Sequence, residues 1–260
     1  MDLNIRGRTA LITGASKGIG LASAESLAAE GVNVILVSRT QADLENAAKK
    51  IKDRHQVRVE VRALDIADSR SVGILAEAYP GIDILVNNAG AIPGGHLLEI
   101  DEPRWRSAWD LKVFGYINMT RAFFGLMKPR GHGVIVNVLG VAGEKMDFDY
   151  IAGSSGNASL MAFTRAMGGR SVDSGVRIVG INPGAIMTDR IVTMMRKRAQ
   201  DRLGDAERYK ELFKPLPFGR AGKPEEIGDM VAFLASDRSA YTSGTIITID
   251  GGAANRAPMF

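Results

Sequence analysis

The sequence predicts an α/β fold: a Rossmann-like, doubly wound sheet of seven parallel strands with helices on both faces. Three observations predict it. Short Val/Ile/Leu-rich runs alternate with longer amphipathic segments along the 260 residues. The runs are near-continuously apolar, as strands covered on both faces are. Glycine is abundant at 30 residues, and a cluster of it falls between the first strand and the first helix.

The elements follow in order. Residues 8–13 (RTALIT) and 33–38 (NVILVS) read as the first two strands, with an amphipathic helix at 18–30 between them. A second helix at 41–54 leads to a third strand at 57–63 (VRVEVRA), and a third helix at 68–78 to a fourth strand at 82–87 (IDILVN). One long helical segment, 102–127, precedes the strand at 133–139 (GVIVNVL). The helix at 152–172 precedes the strand at 176–182 (VRIVGIN), and the helix at 224–235 the last strand, at 245–250 (TIITID). Right-handed crossovers then put the ligand crevice at the carboxyl ends of the strands.

No internal repeat, low-complexity tract or linker interrupts this order, so residues 1–260 are expected to form one domain. Residues 188–223 depart from the alternation. They contain no strand, begin apolar and basic (Arg190, Ile191, Val192, Met194, Met195, Arg196, Lys197, Arg198), and end in Pro215, Pro217 and Gly219. Their place after a strand's carboxyl end predicts a substrate lid; the alternative is a surface helical pair that merely covers the sheet.

Composition excludes several chemistries. With no Cys, there is no disulfide framework, thiolate zinc site, iron–sulfur cluster or thiol nucleophile. Three His, at 55, 96 and 132, do not suggest a metal site, and none is expected. A net charge of +4 does not imply nucleic acid. No apolar run approaches the roughly 18–20 residues that span a bilayer, and the first eight residues, with Asp2, Arg6 and Arg8, do not resemble a signal segment. A cytoplasmic protein without nucleic-acid or membrane partners is expected.

The cofactor end is the most explicit. Thr13-Gly-Ala-Ser-Lys-Gly-Ile-Gly20 joins the first strand to the first helix. Gly14, Ser16, Lys17, Gly18, Ile19 and Gly20 would let the backbone approach a pyrophosphate at the helix N-terminus. The second strand ends Ser38-Arg39, with no Asp or Glu at 37–39. An acidic residue there would suit the ribose hydroxyl of NAD; Arg39, with Lys17 nearby, suits the 2′-phosphate of NADP. NADP(H) is therefore favoured over NAD(H), the alternative being two solvated surface cations.

These residues and the rest of the chain resemble the short-chain dehydrogenase/reductase family. The resemblance spans essentially the whole chain. It includes Thr13–Gly20 (TGxxxGxG), Asn87-Asn88-Ala89-Gly90 (NNAG), Pro183-Gly184 with Thr188 (PGxxxT), Gly219-Arg220 through Pro224-Glu225-Glu226, and Asp250-Gly251-Gly252. It implies that Asp65 and Ile66 meet the adenine, that Asn88, Ala89 and Gly90 lie along the cofactor, and that Pro183, Gly184 and Thr188 meet the nicotinamide carboxamide. It also implies a small-molecule substrate and a homodimer or homotetramer built through the long helices and the last strand.

The same resemblance implies four catalytic side chains: a Tyr proton donor, a Lys four residues later, a Ser about thirteen residues before the Tyr, and an Asn in the preceding long helix. The register can be set without them. Ala158 through Ala166 matches the family's helix after the Tyr, which puts Gly153 at the Tyr position and Asn157 at the Lys position. Asn137-Val-Leu-Gly140 puts Gly140 at the Ser position, and Trp105 and Gly115 bracket Lys112 at the Asn position. A divergent member without the usual quartet is expected.

Lys112 and Tyr150 are the candidate replacements. Lys112 either points into the site, as a cation or as an acid of lowered pKa, or snorkels out to a surface carboxylate. Tyr150 lies three residues before Gly153, with Ser154 rather than Lys at its i+4 position. Asn157 can still bind a ribose hydroxyl, and Ser154 and Ser155 can hydrogen-bond a ligand. His96, Glu144, Lys145, Asp147 and Asp149 read as solvated loop residues. The lid cations suit an acidic or phosphate-bearing substrate, and its apolar residues an apolar body. An oxidoreductase with remodelled chemistry is the first reading. The alternative is a catalytically silent NADP(H) sensor or inactive partner subunit, and lyase or isomerase chemistry on Lys112 is a third.

Overall fold

The computed structural model describes residues 1–256. Seven strands form one parallel sheet in the order β3-β2-β1-β4-β5-β6-β7. They are β1 (Thr9–Thr13), β2 (Asn33–Ser38), β3 (Val59–Ala63), β4 (Ile84–Asn87), β5 (Gly133–Val138), β6 (Val176–Pro183) and β7 (Ile246–Ile249). All six pairings are parallel. The central strands β1, β4 and β5 are buried almost throughout, which is why their sequences are continuous apolar runs. The expected strands all form, β2 with the expected bounds and the others with ends displaced by at most two residues.

Helices α1 (Gly18–Ala29), α2 (Gln41–Arg54) and α8 (Pro224–Ala235) cover one face, where Leu27, Leu44, Ile51, Ile227 and Val231 pack on Ile12, Leu36 and Val86. The other face is covered by α3 (Ser69–Ala78) and α5 (Gly115–Met127), whose Leu75, Met119 and Phe123 pack on Leu11, Leu85 and Ile135. On this side, α6 (Ile151–Ser171) lies against β6 and supplies Leu160 and Met161 to a third cluster with Val113, Tyr116 and Leu139.

The segment expected as one helix over 102–127 is three pieces. It comprises α4 (Glu102–Trp109), a π-helical turn over Asp110–Phe114, and α5. The start of α4 is set by Asp101, whose Oδ1 accepts from the Arg104 amide at 2.9 Å. The π turn inserts one residue into the helical repeat, and such turns change which side chain faces the core. Lys112 and Val113 are the buried residues of this turn.

Residues 188–223 hold α7 (Asp189–Leu203) and 3₁₀ turns at Ala206–Phe213 and Pro217–Gly219. They build a small core of their own from Met195, Phe213 and Ala221, with Ile191, Tyr209, Leu212 and Leu216 against it. Arg220 holds the Glu226 carboxyl down at about 2, mainly through their hydrogen bonds. Glu226 also accepts from the Lys223 amide at 2.7 Å, tying the end of this segment to the start of α8. No helix among the described residues is long and apolar enough to cross a membrane.

Candidate active site

The carboxyl ends of β1, β4, β5 and β6 converge on one crevice. At β1, the Thr13 Oγ1 accepts from the amides of Asn88 (3.0 Å) and Ala89 (3.1 Å). The Asn88 side chain donates to the carbonyls of Thr13 (3.0 Å) and Gly14 (3.3 Å). These bonds lock the loop after β4 to the glycine turn after β1. Gly14 and Gly18 have φ of +66° and +57°, which L side chains rarely adopt. A Cβ added at Gly20 would run into the Gly14 carbonyl and the Asn88 amide, so the turn closes only with glycine there.

This packing leaves the N-terminus of α1 open. Lys17 occupies its N-cap and supplies no side-chain cap, so the first-turn amides have no side-chain acceptor there. Thr188 packs over the same turn, its methyl 3.2 Å from where a Cβ of Gly18 would stand. Gly184 donates to Ile249 O at 2.9 Å, which fixes the segment following β6. At the end of β2, the Ser38 hydroxyl oxygen is buried without a hydrogen-bond partner, and Arg39 beside it is exposed. Asp65 is exposed, while Ile66 is buried, with its side chain turned against Gly115. An uncapped helix, an orphaned hydroxyl and a glycine turn fit the phosphates and ribose of a dinucleotide.

The opposite end of the crevice holds Lys112. Its residue is only 7% exposed, so it does not snorkel to a surface carboxylate as one expectation had it. Its stem runs over Gly90, where a Cβ would collide with Lys112 Cδ. Its Nζ donates to Tyr116 Oη and Val138 O, both at 2.7 Å, and more weakly to Leu139 O at 3.4 Å. Tyr116 Oη in turn donates to Val138 O at 2.8 Å. The cation thus sits at the end of β5, immediately before Gly140. Burial, with a lesser contribution from the charge of Arg190, pushes the Lys112 ammonium down to about 7. Burial pushes the Tyr116 phenol up.

Tyr150 immediately precedes α6 in non-helical geometry, with φ −139° and ψ 39°. Its ring lies over Gly153 so closely that a Cβ there would fall on Cε1 and Cζ of the ring. The ring also packs against the cluster of Ile92, Ile100, Ala108 and Ala152. Arg190, on the first turn of α7, donates through Nη2 to the Tyr150 hydroxyl at 3.4 Å and to Ile92 O. Asn157 is buried; its Nδ2 donates to Gly153 O at 2.9 Å, and its Oδ1 has no partner. The same amide lies beneath Gly140, 3.2 Å from where a Cβ would stand.

Several expected participants are engaged elsewhere. Ser154 Oγ accepts from the Asp147 amide at 3.0 Å, and Ser155 Oγ donates to Ile151 O at 2.8 Å, so both hydroxyls are used within the fold. Glu144 accepts from Asn182 and Thr248, and Lys145 donates to Ala253 O. His96 stacks on Phe148, and Asp147 and Asp149 lie on the exposed loop before α6. Of the lid cations, only Arg190 is tied to the crevice. Arg196 pairs with Glu207 at 3.2 Å. Likewise Ile191 and Met195 face the segment's own core rather than forming a cover for substrate. Sequence reasoning missed two partners: Arg190 for Tyr150 and Tyr116 for Lys112. The Lys112–Tyr116 spacing of i,i+4 was a usable signal; nothing local linked residues 150 and 190.

Residues 14–254 match the family described as enoyl-(acyl carrier protein) reductase. The chain is 32% identical over 248 residues to galactitol 2-dehydrogenase (L-tagatose-forming) of Cereibacter sphaeroides, covering 95% of this chain and 94% of the relative. It is 32% identical over 255 residues to dehydrogenase/reductase SDR family member 4 of Caenorhabditis elegans, covering 96% of each. Among solved structures, L-sorbose reductase of Gluconobacter frateurii with NADPH and L-sorbose superposes with a TM-score of 0.91 at 31% identity, over 99% of this chain and 100% of that one. A 7α-hydroxysteroid dehydrogenase with NADH and 7-oxo glycochenodeoxycholic acid has a TM-score of 0.85 at 25% identity, over 96% of each chain. Sequence match along nearly the whole length, the seven-stranded parallel sheet and the glycine turn agree: the chain belongs to the short-chain dehydrogenase/reductase family of oxidoreductases.

Proposed function

We propose that this protein is an NADP(H)-dependent oxidoreductase of small carbonyl compounds with a remodelled proton-donating site. The single observation that carries this reading is the Tyr150 ring lying over Gly153. The family's usual Tyr, Lys, Ser and Asn positions hold Gly153, Asn157, Gly140 and Lys112, and a phenol from three residues earlier fills the space that glycine opens. When bound, a reduced nicotinamide supplies hydride to the substrate carbon. The Tyr150 O–H supplies the proton to the substrate oxygen; the cation of Arg190, bonded to that hydroxyl, and that of Lys112, at the end of β5, favour negative charge developing in the crevice. Asn157 Oδ1 accepts from a ribose hydroxyl.

Gly14, Ser16, Lys17, Gly18, Ile19 and Gly20 hold the pyrophosphate; Asp65, Ile66, Asn88, Ala89, Gly90, Pro183, Gly184 and Thr188 line the rest of the cofactor. The relatives' cofactors do not choose between NADPH and NADH. The choice of NADP(H) rests on Ser38, Arg39 and Lys17, which offer an unpaired hydroxyl and cations with no carboxylate partner among the described residues. Arg39→Ala is expected to weaken NADPH binding about ten- to hundredfold, the worth of one charge-assisted hydrogen bond, and to leave NADH binding unchanged. Fluorescence titration of both cofactors checks this. In this reading, residues 1–260 form one domain, 188–223 its lid, and the protein works as a homodimer or homotetramer.

The test of function is single-turnover oxidation of NADPH against ketone, quinone and enone panels at high protein concentration. NADPH consumption with at least one panel is expected, and none with any of them rejects the reading. A catalytically silent NADP(H)-binding protein is the alternative. It is favoured by Gly140, which offers the substrate no hydroxyl, and by the internal use of the Ser154 and Ser155 hydroxyls.

A further inference from the structure

Lys112 is a buried ammonium with a place built for it. Its stem passes over Gly90, and the three atoms nearest to where a Cβ of Gly90 would stand are all its own: Cδ at 2.5 Å, Cε at 3.4 Å and Cγ at 3.5 Å. Gly90 is not among the glycines of positive φ, so glycine is needed there for space and not for backbone freedom. Beyond this slot, Nζ donates to Tyr116 Oη and Val138 O, both at 2.7 Å. It also lies 4.4 Å from the centroid of the Tyr116 ring.

Tyr116 is fitted to hold that ammonium. It is fully buried, and its ring packs with Val113, Leu139, Leu160 and Met161. Its own hydrogen goes to Val138 O at 2.8 Å, which leaves the oxygen lone pairs for Nζ. This hydroxyl is the one side-chain acceptor Lys112 has, its other contacts being the carbonyls of Val138 and Leu139. No carboxylate pairs with Lys112 among the described residues, and the charge that bears on it, Arg190 of α7, opposes it. Burial and a like charge both work against the ammonium, so its acceptors decide whether it stays charged and where it stands.

We propose that Gly90 and Tyr116 are positioning residues for Lys112: the glycine supplies the slot for its stem, and the phenol hydroxyl holds its ammonium at the carboxyl end of β5. Neither reaches the reacting atoms in this role; each acts through Lys112. Gly90 then has two reasons to lack a side chain, the cofactor on the crevice side and the lysine stem from within the protein. The two residues fix the cation from opposite ends, the slot by shape and the hydroxyl by its lone pair, as a site that depends on placed charge requires. That the held cation serves turnover rests on the function proposed above, and the test separates the two.

Lys112 is followed directly, by NMR titration of the full chain labelled with [13Cε]lysine, with and without NADP⁺, its resonance identified by loss in Lys112→Met. The wild-type ammonium is expected to titrate near 7 without cofactor. Tyr116→Phe keeps the ring and removes the acceptor, while Val138 O keeps its bond from Nζ. The charged form loses support, so the midpoint should fall by about one unit. Gly90→Ala closes the slot, and Lys112 should leave it and titrate toward the ordinary value of 10.5. In Tyr116→Phe, kcat at pH 7 should fall about fivefold, as the charged fraction drops from about a half to about a tenth, with KM for NADPH unchanged. Its decline with rising pH should begin about one unit lower than in the wild type. A Lys112 midpoint that does not move in Tyr116→Phe, or that stays near 7 in Gly90→Ala, overturns the inference. So does a moved midpoint with an unmoved kcat profile, since the ammonium is then held for the fold alone. If Tyr116→Phe does not fold, Gly90→Ala decides. Midpoints that move as expected in a protein that consumes no NADPH support the positioning and reject the oxidoreductase reading instead.

Discussion

Replacing Gly153 with Ala is expected to cut turnover nearly as deeply as removing the Tyr150 hydroxyl. Tyr150→Phe keeps the ring and removes the proton donor, so kcat should fall about 10²–10⁴-fold with little change in melting temperature. The hydroxyl lost is exposed and bonded only to Arg190. Gly153→Ala acts through volume. Its Cβ falls on the ring, so the phenol must leave its position, and overpacking of this kind costs about 1–3 kcal/mol. Alanine is the better helix former by roughly 1 kcal/mol, so the net loss of stability is smaller than the loss of activity. The decisive result is the double mutant. Once Tyr150→Ala has removed the ring, Gly153→Ala should stabilise α6 rather than destabilise it, a coupling on the order of 1–3 kcal/mol between neighbours. Gly153→Ala with normal turnover and stability in the wild-type background would show that the ring does not need that space.

That dependence also explains what could and could not be read from the residues. The strands were legible because burial on both faces writes continuous Val/Ile/Leu runs, and the glycine turn because strand, turn and helix occur in sequence. The approach of Tyr150 to Gly153 was not legible. Inside a helix, side chains tilt toward the N-terminus, so a residue at 150 would not be expected to cover 153. Tyr150 does so because it sits just outside α6, at φ −139° and ψ 39°, and no local residue pattern announces that geometry. The π turn at Asp110–Phe114, which carries the buried Lys112, is hidden for a similar reason: one inserted residue leaves composition and amphipathicity almost intact. Arg190 meets Tyr150 from forty residues away, because β6 brings α7 to the same crevice as α6. Such a pairing belongs to topology, not to spacing.

Lys112→Met is expected to make the protein markedly more stable at neutral pH and poorer as a catalyst. The ordinary lysine value of 10.5 applies to the unfolded chain, and the folded value is pushed down to about 7 by burial and by Arg190. Between these values the unfolded chain binds the proton more readily than the folded protein, so stability rises with pH across that window. Below about 7 the penalty of the buried charge is felt in full, and above about 10.5 it vanishes. At pH 7 the gap amounts to on the order of 4 kcal/mol. Methionine follows the same path over Gly90 without the charge. Its cost is the hydrogen bonds of Nζ, each worth about 1 kcal/mol, but Val138 O keeps its bond from Tyr116 Oη. Counting the two Nζ bonds at 2.7 Å, the net gain is then about 2 kcal/mol, or roughly 4–8 °C in melting temperature for a chain of this size. Thermal melts of both proteins from pH 6 to 9.5 should show a difference that is nearly constant below about pH 7 and shrinks as pH rises above it. Turnover should fall in the same variant, because a cation at the end of β5 that favours negative charge developing in the crevice has gone, a trade of activity for stability. A Lys112→Met protein less stable than wild type at pH 7, or a difference that does not change with pH, would mean that the hydrogen bonds to Tyr116 and Val138 outweigh the cost of burial and that Lys112 is held there as a structural tie.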